Sequence, residues 1–377
     1  MSPFALSFAV SDTPPGPPSQ PPGPPSGLRH PPSPSSARRR SGLGALLGQR
    51  YRVESLLGEG GTATVHLARD LETSAVVVVK RMKATVAAEP ELRRRFVQEG
   101  AALARISHPH VVRALGVEEP EGEPPLLILE ALGGETLGDL LRRQEVCPLE
   151  LTLPLIDQAA LALEAVHAAG LIHRDIKPDN LFLVGPIGAP TSLKVLDFGM
   201  ARFADEQADE HSTSILGTAQ YMAPEQILVE TMDERTDVYA LGVVMFRMLT
   251  GHLPFDARDK KDLLRHQLFS PVPPVTWLVD GLPEGLSALV RQATQKAPSR
   301  RPKDMATLRN LLRAIDPTSS APGGAESMDW TDYADDVYEP TTERGRTAAE
   351  LLAREFGAYS RPHHPVPSTD AKDTPGG

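Results

Sequence analysis

The chain has 377 residues, 40% of them apolar and 23% charged, with a net charge of −10. That is ordinary for a globular protein, and no apolar run approaches the ~18 residues that a membrane span needs. The acidic balance, with no basic stripe interleaved with aromatics, excludes a nucleic-acid footprint, and a lone cysteine, Cys147, excludes an internal disulfide. With no positively charged stretch opening residues 1–10, the expected compartment is reducing and cytoplasmic, and Cys147 is expected as a small core hydrophobe rather than a nucleophile.

The composition is uneven. Of 37 prolines, 12 precede residue 35, and Arg38, Arg39 and Arg40 form a short cluster. Residues 1–48 cannot bury a core and are expected as a disordered, locally polyproline II tail of the kind that docks in aromatic grooves. From Tyr51 the pattern changes: 51–57, 65–68 and 75–81 read as short strands, with a turn at 70–74. Residues 90–105 are helical, with Leu92, Phe96, Gly100 and Leu103 near one face. A buried strand at 126–129 is followed by the Gly133-Gly134 loop. Then helices dominate: 151–169 is apolar enough for a core helix, 181–184 and 193–196 form a hairpin, and 238–249, 259–267, 286–296 and 306–315 are helical. After Asp316 the chain is polar and acidic, and 351–356 has the pattern of a short helical stretch.

Between the first two strands lies Gly58-Glu59-Gly60-Gly61-Thr62-Ala63-Thr64-Val65. Glycine lets backbone N–H groups approach a phosphate, although a glycine-rich hairpin turn reads the same way, and no Gly-Lys-Ser/Thr follows to make a Walker loop. Lys80 ends the apolar run 76–79, where a buried ammonium needs an anion, either a carboxylate or a phosphate. Glu99, on the next helix, could face it.

The most informative stretch is His173-Arg174-Asp175-Ile176-Lys177-Pro178-Asp179-Asn180. It is followed in order by Asp197-Phe198-Gly199, by Gly217-Thr218 and Tyr221-Met222-Ala223-Pro224-Glu225, by Asp237 and by Arg301-Pro302. In this series the chain resembles the protein kinase family over about residues 51–315. The segment 217–226 resembles soluble bacterial members of the Ser/Thr type. The resemblance implies an α+β fold of two lobes, a small β-rich N-lobe and a larger helical C-lobe, with the kinase domain at 49–315 and a mostly disordered acidic tail at 316–377.

It also implies ATP and Mg²⁺ as cofactors and proteins bearing Ser or Thr as substrates. Asp175 would accept the substrate hydroxyl proton, and Lys177 would offset charge on the γ-phosphoryl group. Asn180 and Asp197 would hold Mg²⁺. Lys80, paired with Glu99, would hold the α- and β-phosphates under Leu57, Gly58, Glu59, Gly60, Gly61, Thr62, Ala63, Thr64 and Val65. Leu129 would guard the back of the adenine site, whose edge meets the backbone of Glu130 and Leu132. Glu225 with Arg301 would form a buried ion pair, and Asp237 would brace the catalytic loop.

Lys177 and Thr218 favour Ser/Thr acceptors, and Ser212, Thr213 and Ser214 are candidates for autophosphorylation beside Arg174. Three positions depart from the family pattern: Ala63 replaces a glycine, Val78 narrows the adenine site, and His110 replaces an asparagine in a turn. Two non-catalytic readings stand beside the kinase: a pseudokinase scaffold, and an interaction protein working through the Pro-rich head.

Overall fold

The computed structural model describes residues 43–186, 192–197, 219–255, 257, 259–316, 340–343 and 345–347. The hydroxyls 212–214, the Gly217-Thr218 pair and the stretch 351–356 lie outside the described residues.

Short runs rich in apolar residues build an antiparallel sheet from β1 (Leu46–Leu47), β2 (Tyr51–Glu59), β3 (Ala63–Asp70), β4 (Val76–Met82), β5 (Ala114–Glu118) and β6 (Leu126–Glu130). The strand order is β1-β2-β3-β4-β6-β5. Lys80 is thereby central: it pairs with Val65 of β3 on one side and Leu127 of β6 on the other. Leu47, Tyr51, Val53, Val77, Val79, Leu126 and Ile128 fill a small core on one face. Leu127, Leu129 and Met82 join the main core together with Phe96 and Leu103 of α2 (Pro90–Leu103), which follows the short α1 (Ala84–Ala87).

The expected strands are all present, with 51–57, 65–68 and 126–129 extended at their ends, and β1 is a further short strand just before residue 48. Leu46 and Leu47 pair with Arg52 and Tyr51, and Leu47 is only 5% exposed. Burial of Leu47, together with the backbone pairing of both leucines to β2, orders this segment, while Leu46 stays exposed.

The second part is helical, with a three-stranded sheet, β7 (Gly134–Thr136), β8 (Leu181–Val184) and β9 (Ser192–Val195), at its upper edge. α3 (Leu137–Arg143) opens on a capping box, in which Thr136 accepts from the Asp139 N–H and Asp139 accepts from the Thr136 N–H. α4 (Leu149–Ala168) runs through the core. After α5 (Pro224–Ile227), α6 (Glu234–Thr250) is buried almost all round, starts on an Asp233 cap and ends at Gly251 with φ 75°. α7 (Lys260–Phe269), α8 (Glu284–Ala293) and α9 (Met305–Arg313) complete it. A Cβ on Gly242 of α6 would sit 2.8 Å from Thr294 Cγ2 and 2.9 Å from Ala293 Cβ, so this glycine sets how closely α6 and α8 approach.

Backbone bonds tie the two parts together beside the β8–β9 hairpin. Val112 N–H donates to Val195 O (3.0 Å), and Val195 N–H donates to His110 O (2.8 Å). His110 accordingly serves as a turn residue, its Nδ1 2.9 Å from Leu193 O.

Candidate active site

Residues 171–177 carry no regular structure, yet they are tightly held. Asp237, on the first turn of α6, is fully buried and accepts hydrogen bonds from the N–H groups of His173 (2.8 Å) and Arg174 (2.8 Å), and contacts His167 Nε2 at 2.7 Å. Burial opposes the Asp237 charge, but the His167 hydrogen bond and neighbouring imidazoles outweigh it and hold its pKa below the carboxylate range. Gln226 Nε2 holds the carbonyl of Arg174 (2.9 Å). Arg174 itself adopts φ 64°, a left-handed conformation that a non-glycine residue keeps only when its surroundings over-determine it.

His173 is buried, and burial lowers its pKa, so the ring is neutral. Its Nδ1 accepts from the Asp175 N–H (3.2 Å), which places the ring proton on Nε2, where it donates to Leu196 O (2.7 Å). This imidazole therefore couples the Asp175 loop to the end of β9.

The loop presents three polar side chains together. Lys177 Nζ lies 2.9 Å from Asp175 Oδ2, and Asn180 Nδ2 donates to Asp175 Oδ2 (3.0 Å) and to Asp175 O (2.7 Å). Asn180 directly precedes β8 and Asp197 follows β9. The pairing of Leu181 with Val195, extended by the Leu196 N–H bond to Asn180 O (2.8 Å), carries both residues to the same end of the hairpin. Since the Asn180 amide nitrogen is spent on Asp175, its oxygen is the atom left for a cation. The oxygens of one amide and one carboxylate suit Mg²⁺, which takes few protein ligands and fills its octahedron with phosphate and water oxygens.

Asp197 has φ 43° and lies 3.0 Å from Lys80 Nζ, whose side chain is 9% exposed. Burial would raise the Asp197 pKa, but the Lys80 charge outweighs it and holds it below the usual range. The expected partner of Lys80 was Glu99, and here the structure differs. Glu99 forms no ion pair with Lys80, and its pKa is raised by burial, opposed most strongly by the charge of Arg174 and then by Arg95 and Lys80. The reason is that α2 sets Glu99 beyond ion-pair reach, so the buried ammonium takes the carboxylate that is nearest.

In the glycine-rich hairpin, Gly60 N–H donates to Ala63 O (2.9 Å), and Lys83 N–H donates to Thr62 O (2.8 Å). Thr62 and Ala63 are buried, while Leu57 is exposed. A Cβ on Gly58 would meet nothing within 4 Å, and one on Gly60 only the Ala63 carbonyl at 3.8 Å. Neither glycine has a positive φ, so neither the backbone nor the packing around them requires glycine, and their surface is left open to close approach. Gly61, Thr64 and Val65 complete the hairpin, with Thr64 paired to Glu59 and Val65 to Gly58.

At the edge where the resemblance places the adenine, Val78 pairs with Leu129. The Glu130 N–H is spent on Arg113 O (3.0 Å), and its carboxylate on Lys194 (2.7 Å) and the Arg113 N–H (2.8 Å). Of the Glu130 backbone only the carbonyl remains for a base edge, beside the half-buried Leu132.

The expected architectural pair is present. Arg301 donates to both carboxylate oxygens of Glu225 (2.7 and 2.9 Å). Sequence reasoning missed the roles of His173, Gln226 and His167. His173 was in plain view within the motif, and its burial on β9 becomes visible only in three dimensions.

A carboxylate joined to a lysine and an asparagine, a second carboxylate–lysine pair, and a glycine-rich hairpin are the parts that a phosphoryl-transfer site needs. The chain belongs to the protein kinase family: the protein kinase domain model matches residues 51–312. That family uses ATP with Mg²⁺ to phosphorylate proteins.

Among its relatives is the serine/threonine-protein kinase PknB of Mycobacterium leprae, 35% identical over 273 residues, which cover 71% of this chain and 43% of that protein. Serine/threonine-protein kinase Pkn1 of Myxococcus xanthus is 34% identical over 314 residues, covering 80% and 44%. The chain thus spans about half the length of these curated relatives. The fold is that of the Mycobacterium tuberculosis PknI kinase domain, with TM-score 0.56 and 24% identity over 71% of this chain and 98% of that one. Among the described residues, no helix is long and apolar enough to cross a membrane.

Proposed function

We propose that the chain is an ATP- and Mg²⁺-dependent protein kinase acting on Ser and Thr, in bacterial signal transduction and in the cytoplasm, with its catalytic domain at 49–315. The observation that carries this reading is the Asp175–Lys177–Asn180 cluster on a loop pinned by buried Asp237.

In this reading Asp175 orients the acceptor hydroxyl and takes its proton. Lys177, already 2.9 Å from that carboxylate, neutralises charge on the transferred group. Asn180 and Asp197 would hold Mg²⁺, which when bound neutralises the phosphates. The hairpin from Leu57 to Val65 and Lys80 would hold the nucleotide, with the Glu130 carbonyl and Leu132 at the adenine edge. Glu99 would take over Lys80 once Asp197 is engaged elsewhere, which requires α2 to move toward β4. Autophosphorylation at Ser212, Thr213 or Ser214, and docking of partners on the Pro-rich head, belong to the same reading.

The Lys80–Asp197 pairing, with Glu99 unengaged, favours a second reading as a non-catalytic scaffold. Radiolabelled ATP and a generic basic protein distinguish them. Wild-type protein should label the acceptor, and Asp175→Asn should not. Equal labelling by both rejects the kinase reading, and no labelling by either supports the scaffold.

A further inference from the structure

Residues 340–343 and 345–347 lie beyond the catalytic domain in sequence, yet they are held against it. The site of attachment is Glu230, 7% exposed, just past α5. Its carboxylate accepts four hydrogen bonds from two consecutive threonines. The N–H groups of Thr341 and Thr342 donate at 2.9 Å each, and their hydroxyls at 3.1 and 3.0 Å. The turn is closed on itself by Gly345 N–H to Thr342 Oγ1 (2.9 Å) and Arg346 N–H to Thr342 O (2.9 Å). A Cβ built on Gly345 would overlap Glu230 Oε1, a carboxylate that four bonds prevent from moving aside. Glu230 is in turn fixed through its own N–H to Glu225 O (2.9 Å), the residue that Arg301 holds.

This is a clasp whose specificity lies in two unmodified hydroxyls. A phosphate on either oxygen would place about −1.5 to −2 charges against a nearly buried carboxylate and remove a donor. Bound and phosphorylated states are therefore incompatible.

We infer that Thr341 and Thr342 are a modification site of this chain, phosphorylated by the kinase itself when the turn is off Glu230, and that the modification keeps the tail released. The inference rests on the kinase reading above. In the transfer, the threonine Oγ–Pγ bond forms as the bond from Pγ to the ADP oxygen breaks. ADP leaves with that electron pair, and the hydroxyl proton passes to Asp175 and then to solvent. Tethering to the catalytic domain raises the effective concentration of the acceptor.

The test uses the full chain carrying Asp175→Asn, phosphorylated in trans by wild-type protein with ATP and Mg²⁺, with hydrogen exchange and phosphosite mass spectrometry as readouts. The expected results are slow amide exchange at Thr341 and Thr342 before phosphorylation, phosphate on one or both threonines afterwards, and exchange at those amides faster by at least about tenfold, equivalent to ~1.4 kcal/mol. Two further variants in the same background, Gly345→Ala and Thr341→Glu with Thr342→Glu, should show the fast exchange without ATP. Fast exchange in the unmodified chain, slow exchange retained in both variants, or phosphate on other residues but on neither threonine would each overturn the inference. Absence of label on any residue would overturn the kinase reading first, and the modification with it.

Discussion

Replacement of Asp237 by alanine tests whether the catalytic loop is held from below by one buried charge. The carboxylate is 0% exposed and makes three short contacts, at 2.8, 2.8 and 2.7 Å, with two backbone N–H groups and an imidazole. Hydrogen bonds to a charged group are worth ~1.5–3 kcal/mol each, and truncation strands the donors away from water. Allowing for partial relaxation and for the cost that burying the charge already carries, the expected loss is ~3–5 kcal/mol. At ~2–4 °C per kcal/mol for a domain of this size, Tm should fall by roughly 6–20 °C.

Asp237→Asn is the sharper variant: it keeps the volume but turns an amide N–H₂ toward a donor, so it should lose nearly as much. Asp175→Asn makes the same chemical change at a carboxylate whose side chain is 22% exposed. It should abolish transfer and leave stability within ~1 kcal/mol. Urea unfolding of the three variants beside wild type, with phosphoryl transfer measured on the same samples, gives both readouts. A loss below ~1 kcal/mol in Asp237→Ala, or wild-type turnover, would refute the account of the loop as held by this residue.

Gly58→Ala should leave the melting temperature close to wild type, because its Cβ meets nothing within 4 Å, while raising KM for ATP; an unchanged KM with lowered stability would reverse the assignment. Gly242→Ala should do the opposite, destabilising by ~1–3 kcal/mol through overlap with Ala293 and Thr294, measured by chemical denaturation. Stability should fall in two stages on acidification. His173 has a depressed pKa in the fold, so below about 6.5 the unfolded chain takes up a proton that the folded chain refuses, until pH reaches the folded value. Asp237 is also depressed, so its contribution is complete above the unfolded carboxylate value and is lost as pH falls through the folded one. Unfolding free energy measured against pH should slope upward through both windows, and a flat profile from pH 7 to pH 5 would contradict the buried neutral His173.

The catalytic loop was legible because its chemistry is local: Asp175, Lys177 and Asn180 fall within six residues and meet in space as spacing suggests. The sheet was legible through short apolar runs, such as 76–79 and 126–129, bounded by turn residues. Three things were not. Leu46 and Leu47 form a two-residue apolar pair between Gly44 and Gly48, too short to signal a strand, and the edge of β2 is what they pair with. The partner of Lys80 depends on where a whole helix lies, and both Glu99 and Asp197 are compatible with the sequence. The attachment of Thr341 and Thr342 to Glu230 joins residues more than 100 positions apart through one carboxylate, two hydroxyls and two backbone N–H groups, with no apolar signal to reveal it.

These differences divide the site mechanically. Asp175 and Asn180 stand on a loop fixed by Asp237, His173 and Gln226, whose contacts are short and largely buried, so their geometry is set before any ligand arrives. Lys80 and Asp197 are joined by a single ion pair, and Glu99 carries a raised pKa and no ion pair. A carboxylate left half-buried without a cation is held there at a cost, and any shift of α2 that brings it to Lys80 recovers that cost while releasing Asp197. In the kinase reading, the part that would perform transfer is held by several short buried contacts, and the part that would admit the nucleotide by one ion pair. Lys80→Met separates the two: it removes the ion pair and should abolish nucleotide-dependent labelling, while leaving the amide protection of residues 173–180 unchanged in hydrogen exchange. Loss of that protection would show that the two halves are mechanically coupled, and the division would fail.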